Sequence, residues 1–598
     1  MPRFYSSAGI SRRTVIKATV AGALFAASGF GLARTPGAGA DTPVAKIFRG
    51  GTVVTVEEGQ PLAEAVAVGG GRILAVGSEA EIMALASPGT EIVELDGATV
   101  LPGFIDAHGH FMNAPQIVGW VNVSSPPVGP VTSIPEIVTT IRAFMDERRP
   151  ASGEWVIGYG YDPTVLSDGR ELTRDDLDPH FPDNPVMLIH VSGHGCVLNS
   201  AGFGIVGIDE NTPTPEGGVI LRKEGSNEPA GLVMETAFLP IFAHMPQPSQ
   251  EQLLGVLGDA QEIYTSHGVT TAQEGATNKD DLEFLLRAAD EGHLVIDVVS
   301  LPIVFDVPAL LREYAPDFRG GPMELPDTAA QSFGRYRNRL KLAGIKLVLD
   351  GSPQGKTAFW SEPLLTGGPE GEEDYVGAPM VPPEMVTAAV AEFVDKGIQV
   401  FSHANGDAAI DMIIDALRAA GVTAADGRRD CVIHSQFVRP DQLAAYAELG
   451  MTPSFFTAHT FFWGDVHLEN TGPERAAFIS PMAAAYERGL RCSNHSDFSV
   501  TPMDPFLMMQ SAMLRRSRSG VVLGPDQRVD ALTALRSLTI DAAWQIFEDD
   551  TKGSIAPGKL ADLVIVDRNP LDVDPEQLLA LQVIETFKEG ESVYRRPV

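Results

Sequence analysis

Two histidines, His108 and His110, stand two positions apart at the end of the apolar run Thr99-Val100-Leu101-Pro102-Gly103-Phe104-Ile105. On an extended chain residues i and i+2 project to the same side, so both imidazoles would face one space. Neutral imidazoles on a shared face suit a transition-metal ion. A bare His-x-His pair also occurs in many sites without a metal, so the weight rests on the rest of the chain. Further apolar runs end in, or contain, a residue of the same kind. Leu342 to Val348 encloses Lys346, Ile398 to His403 ends in His403, and Cys431 to His434 ends in His434. Leu490-Arg491-Cys492-Ser493-Asn494-His495-Ser496 delivers Asp497. Histidines, a lysine and an aspartate at successive strand ends form the set that a (β/α)8 barrel collects at its C-terminal face.

The stretches around these residues resemble the amidohydrolase superfamily of metal-dependent hydrolases, in its amidohydrolase-3 (YtcJ-like) branch. They are Leu-Pro-Gly-Phe-Ile-Asp-Ala-His-Gly-His at 101–110, Gly-Ile-Lys-Leu-Val-Leu-Asp-Gly-Ser at 344–352 and His-Ala-Asn-Gly-Asp-Ala-Ala at 403–409. Ile-His-Ser-Gln at 433–436, Ser-Asp-Phe-Ser-Val at 496–500 and the block from Lys552 to Asp567 complete the series. The resemblance implies one or two divalent metal ions, zinc best matching the mixed His/carboxylate set. It implies that His108, His110 and Asp497 hold the more buried ion. His403 and His434 hold the second, with Lys346 bridging as a carbamate or, alternatively, remaining an ammonium in an ion pair. Asp497 would double as general base. Ser192-Gly193-His194-Gly195 resembles a stretch that brings a histidine over the metals, which makes His194 a candidate oxyanion or substrate contact; a surface histidine is the rival. His495 shares the parity of Asp497 and either lines the pocket or is buried at the strand end. His459 and Trp463, in the aromatic cluster Phe455 to Trp463, are candidates for a pocket wall.

To position such a set the chain must supply eight strands, and candidates fall near 99–107, 268–274, 294–304, 341–350, 397–403, 430–435, 451–457 and 490–496. Helical stretches such as Asp280 to Ala289, apolar at i, i+3 and i+4, separate most of them. This alternation predicts an α/β fold, a (β/α)8 TIM-type barrel over 99–550, interrupted by a large insertion at 111–260 that is far longer than one helix requires. Long insertions at that face usually act as lids or substrate walls. Short strands punctuated by Gly50-Gly51 and Gly69-Gly70-Gly71 fill 41–98, and matching strands fill 551–598. So small a sheet could hardly stand alone. In the family the two ends join as a composite β-sandwich.

The chain has 598 residues, 44% apolar content and a formal charge of −34. That charge excludes nucleic acid and anionic membrane surfaces as partners held by general electrostatics. Residues 1–40 read as a twin-arginine signal: Arg12-Arg13, an Ala/Gly-rich apolar stretch, then Ala38-Gly39-Ala40 before a cleavage point. The twin-arginine translocase is therefore an expected partner, with periplasmic or secreted location. The leader has five basic residues and no acid, so its removal would take the charge from −34 to −39. Cys196, Cys431 and Cys492 are too few for a disulfide framework and read as buried thiols. A homo-oligomer is left open, and no Gly-rich phosphate loop or dinucleotide fingerprint implies an organic cofactor.

The expected activity is hydrolysis of a carbon–nitrogen bond other than a peptide bond, in a small molecule such as a formamide, N-acyl amine or cyclic amide. An esterase or lactonase using the same metals, or a non-enzymatic regulatory relative, are the alternatives.

Overall fold

The structure, a computed structural model, describes residues 42–191, 195–215, 218–235, 237–245, 248–307, 329–368 and 372–597. The expected leader and His194 lie outside the described residues. Among these residues no helix is long and apolar enough to cross a membrane.

Nine strand segments form two parallel sheets. One runs Leu340–Leu342, Asp297–Pro302, Val269–Thr277, Phe104–Ile105, with a short antiparallel strand, Tyr336–Arg337, at its outer edge. The other runs Ile345–Val348, Val400–Ala404, Cys431–His434, Thr452–Phe455, Ser493–Asn494. The sheets meet at both ends. Ile303 bridges to Lys346 in parallel sense. At the other seam the Asp497 N–H donates to the His108 carbonyl (3.0 Å) and the His110 N–H to the Phe498 carbonyl (2.7 Å). The pairing order is thus cyclic. These strands are buried on both faces, as strands covered by crossover helices must be. Helix Lys279–Asp290, capped by Asn278, shows why such segments fold as expected: Leu282, Leu285 and Ala289 make one apolar stripe and are buried against the core.

Two expected strands are interrupted by glycines with no room for a side chain. At Gly103 a Cβ would lie 2.5 Å from the Thr270 side chain, and at Gly344 one would lie 2.4 Å from the Gln399 carbonyl. The expected strand 99–107 therefore splits. Thr99–Pro102 joins a different sheet, and only Phe104–Ile105 enters the cyclic array. The expected strand 341–350 likewise divides into Leu340–Leu342 and Ile345–Val348, which pair with opposite neighbours. Glycine is the residue that permits such close backbone approach.

Strands from both chain ends share one sheet. Leu563–Val566 runs antiparallel to Thr99–Pro102, with Leu563 opposite Pro102 and Val566 opposite Thr99. A four-stranded sheet of Arg72–Gly77, Ala65–Gly69, Lys46–Arg49 and Glu91–Glu94 contributes to the same core. In that core Phe48 meets Phe587 edge-on at 5.1 Å. A buried ion cluster ties this unit to the parallel strands. Lys552 and Lys588 each reach Asp297 at 2.6 Å, and Lys588 also reaches Asp562 at 2.7 Å. Removing one member would leave a buried charge unpaired, the costly case for such clusters. Lys552 and Asp562 belong to the sequence block 552–567, whose conspicuous residues are thereby used for docking.

The insertion folds as a unit of its own. Its six-stranded mixed sheet is ordered Gly218–Arg222, Pro229–Glu235, Gly195–Leu198, Val186–His190, Val156–Tyr161, Val121–Asn122. Helix Ile134–Arg148 covers it through Ile137, Val138 and Ile141. Helix Gln250–Thr265 runs across the expected boundary at 260 and packs against Val269–Thr277. All three cysteines are buried and free.

Candidate metal centre

The strand ends bring His108, His110 and Asp497 to one place. Both seam hydrogen bonds, Asp497 N to His108 O and His110 N to Phe498 O, hold the first and last strands in register just there. Asp497 takes a positive φ of 50°, and so does His434, with 71°. Such left-handed geometry is uncommon for non-glycine residues and clusters at functional sites.

The Oδ1 atom of Asp497 lies 3.5 Å from His108 Nε2 and 3.4 Å from His110 Nε2. One ligand atom from each of the three residues lies within 4.8 Å of the others. Oδ1 is buried and has no hydrogen-bond partner. A buried carboxylate oxygen without a partner is costly. Two ligands each about 2.0–2.1 Å from a tetrahedral zinc are separated by about 3.4 Å. The spacing is thus long for a hydrogen bond and right for two ligands sharing one ion. The donor set, two imidazoles and a carboxylate, is one that zinc accepts. The charge balance agrees. Burial disfavours a proton on His110, yet Asp497 and Glu274 outweigh it and push its pKa up to about 9. Two carboxylates beside this ring thus favour positive charge at this point.

The remaining residues form an adjoining cluster. His434 Nε2 is 3.2 Å from His403 Nδ1, and His434 Nδ1 is 3.0 Å from His495 Nε2. Burial holds His403 down to about 4 and His495 to about 3, and pushes His434 well below the usual range. These imidazoles are neutral at pH 7 and keep a lone pair, as ligands must. Lys346 is buried, its Nζ 3.3 Å from His108 Nε2, and among the described residues it forms no ion pair. Burial, partly offset by Asp497, lowers its pKa to about 8.

Comparison with known proteins then settles the family. The model of a family described as "Amidohydrolase family" matches residues 91–594. The chain belongs to the amidohydrolase family. It is 28% identical over 555 residues to an N-substituted formamide deformylase of Arthrobacter pascens, covering 91% of this chain and 97% of that one. It is 27% identical to the putative amidohydrolase YtcJ of Bacillus subtilis, covering 92% and 99%. Among solved structures, an uncharacterized metal-dependent hydrolase from Pyrococcus horikoshii shares the fold, with a TM-score of 0.68 and 23% identity over 89% of this chain and 99% of that one.

Three residues of this amidohydrolase that the sequence reading passed over, Gln273, Glu274 and Gly275, support the histidine pair. His108 Nδ1 is 3.0 Å from Gln273 Oε1, so it carries the proton and leaves Nε2 with the lone pair that faces Asp497. His110 Nδ1 lies 3.8 Å from Glu274 Oε1, while Glu274 Oε2 accepts from the Met112 N–H at 2.7 Å. At Gly275 a Cβ would lie 2.1 Å from His108 Cε1, so the ring occupies the space a side chain would fill. The sequence signal was weak: Gln273 and Glu274 follow a largely β-branched stretch, Val269-Thr270-Thr271-Ala272, within one strand, and do not stand at the end of an apolar run. Asp106 accepts from Ser496 N (3.1 Å) and Oγ (2.8 Å), bracing the strand end that presents Asp497.

The structure places His495 apart from His459 and Trp463, which pack against each other. His495 is wholly buried between His434 and Ser454, whose Oγ lies 2.8 Å from its Nδ1. It therefore joins the buried histidine cluster. His459 is buried 3.0 Å from His467, with Phe456 and Trp463 each packed at 4.5 Å. His459 and Trp463 thus belong to an aromatic layer behind His434 and His495. Neither they nor His495 line the cavity of about 360 Å³ between the insertion and the 498–507 segment.

Proposed function

We propose that this amidohydrolase is a metal-dependent hydrolase of a non-peptide carbon–nitrogen bond, on the scale of a formamide, N-acyl amine or cyclic amide. The cyclic strand array is read as a (β/α)8 barrel, with the unit built from both chain ends as a β-sandwich. The observation that supports the reading most is the buried Oδ1 of Asp497, which makes no hydrogen bond and is set between His108 Nε2 and His110 Nε2. The resemblance to the formamide deformylase gives the bond class.

His108, His110 and Asp497 would hold one divalent ion, and His403 and His434 a second. Zinc suits this donor set. Such an ion lowers the pKa of water toward about 7 and polarises the substrate carbonyl. The protein does the rest. Gln273 fixes the tautomer of His108, and Glu274 backs His110. Burial pushes the Asp497 carboxyl up, but the neighbouring His110 outweighs it and holds its pKa below the ordinary value. Asp497 is therefore ionised at neutral pH, able to accept a proton from the attacking water and pass it to the departing nitrogen.

The test is elemental analysis followed by depletion. Removal of transition metal should reduce turnover of N-substituted formamides and N-acyl amines by about 100-fold or more, and Zn²⁺ should restore it. Full turnover in protein free of transition metal would overturn the reading.

Lys346 carries a further prediction. A neutral lysine amine adds carbon dioxide to give a carbamate and a proton, so two carboxylate-like oxygens with one negative charge stand where the amine was. Lys346→Ala should lose one equivalent of metal and most activity, with partial recovery on adding short carboxylic acids. Lys346→Arg should be worse, because a permanent cation would stand among metal ligands. A Lys346→Ala protein with undiminished metal content would show that the lysine is no bridge.

A further inference from the structure

We propose that the cavity of about 360 Å³ between the insertion sheet and the parallel strands receives a neutral, largely apolar substituent of the substrate, of about the size of a six-membered ring. The inference rests on the hydrolase reading for the bond cleaved and on the cavity for what flanks that bond. The volume lies in the range of small-molecule sites, about 300–1,000 Å³.

Position connects it to the metal centre. Phe498 and Ser499, in its wall, directly follow Asp497, and the Phe498 carbonyl accepts from the His110 N–H at 2.7 Å. Ile117, also in the wall, ends helix Asn113–Ile117, which begins three residues after His110. The opposite wall comes from the insertion, through Trp120, Tyr159 and Ile189.

Chemistry sets the class of ligand. Trp120, Tyr159, Phe462 and Phe498 offer aromatic surface. The charges in the wall are already engaged. Arg518 pairs with Asp162 at 3.2 Å and lies 4.9 Å over the Phe462 ring. Asp504 caps the helix Pro505–Leu514 through the Phe506 and Leu507 N–H groups. A charged substituent would have to break one of these arrangements, whereas an apolar one would not. A second observation points to a ligand independently. Ser125 is in the wall, only 7% exposed, and its Oγ is buried without a hydrogen-bond partner. Buried hydroxyls are normally satisfied, so this one is suited to a single polar atom of the occupant.

The experiment compares N-methylformamide, N-(cyclohexylmethyl)formamide and N-(2-carboxyethyl)formamide on the full protein. The ring compound should exceed the methyl compound in kcat/KM by about tenfold or more, and the carboxylate should fall below both. Val128→Trp, which fills the cavity from a loop, should cut the ring-to-methyl ratio by about tenfold. Tyr159→Ala, which enlarges it, should move the optimum to a longer substituent, and circular dichroism would confirm that both variants fold. A flat series, or a preference for the carboxylate, would overturn the cavity assignment and leave the hydrolase reading standing. If no formamide is cleaved, the formamide form of that reading fails. Calorimetry with N-(cyclohexylmethyl)formamide then decides the cavity: binding to the unmodified protein that Val128→Trp abolishes supports it, and no binding refutes it.

Discussion

Asp497→Asn should reduce kcat by about 10³-fold while the protein remains folded. Asparagine keeps the shape of the side chain and one oxygen, so the packing around the strand end has no reason to change. What it removes is the negative charge between His108 and His110 and a carboxylate oxygen placed to take up a proton. Both effects act on the chemical step, and the first also weakens metal retention. Stopped assays at saturating substrate, with metal content measured on the same sample, separate the two. If Asp497→Asn binds metal normally and retains more than about a tenth of kcat, a different group is the base.

Gly275→Ala should lose most of the metal affinity at a position that is not itself a ligand. The added Cβ would lie 2.1 Å from His108 Cε1 and 2.5 Å from Nδ1, with the Gly109 carbonyl at 2.9 Å. An imidazole ring cannot bend away from such a contact, and Gln273 holds it in place at 3.0 Å. Either the ring turns or the strand shifts. Overpacking of this kind costs about 1–3 kcal/mol of stability. Disturbing the support of a ligating histidine typically costs about 10–100-fold in metal affinity. Competition titration with a chromophoric chelator measures the affinity, and thermal melting measures the stability. Unchanged zinc affinity in a folded Gly275→Ala protein would mean that the His108 ring does not occupy this cradle.

Much of the site was legible because its residues lie where apolar runs stop. A strand in a parallel sheet must be apolar on both faces, so the first polar or titratable residue after it marks the end that opens to the site. That rule picks out His434 directly, and it brings His108, His403 and Asp497 within a few residues of a run's end without any coordinates. Family membership was legible for a related reason: the stretches around these ends are long, ordered and specific.

Local sequence could not show where strands break or which sheet receives each half. Thr99 to Ile105 is one apolar run, yet Gly103 divides it between two sheets, because Thr270, from a strand far along the chain, stands against it. His459 has the residue type of a substrate contact and the setting of a core residue, since His467 and Trp463 close over it. The cavity walled in part by Phe498 is likewise a product of distant segments, the insertion on one side and residues 498–507 on the other. The sequence by itself determined which residues could ligate and in what order the strands deliver them, because residue chemistry and strand periodicity are local properties. Only the tertiary structure decided that Asp497 Oδ1 makes no hydrogen bond, that Gly275 makes room for His108 and that Ser125 faces no protein acceptor. Contact, burial and vacancy depend on what the rest of the chain places nearby.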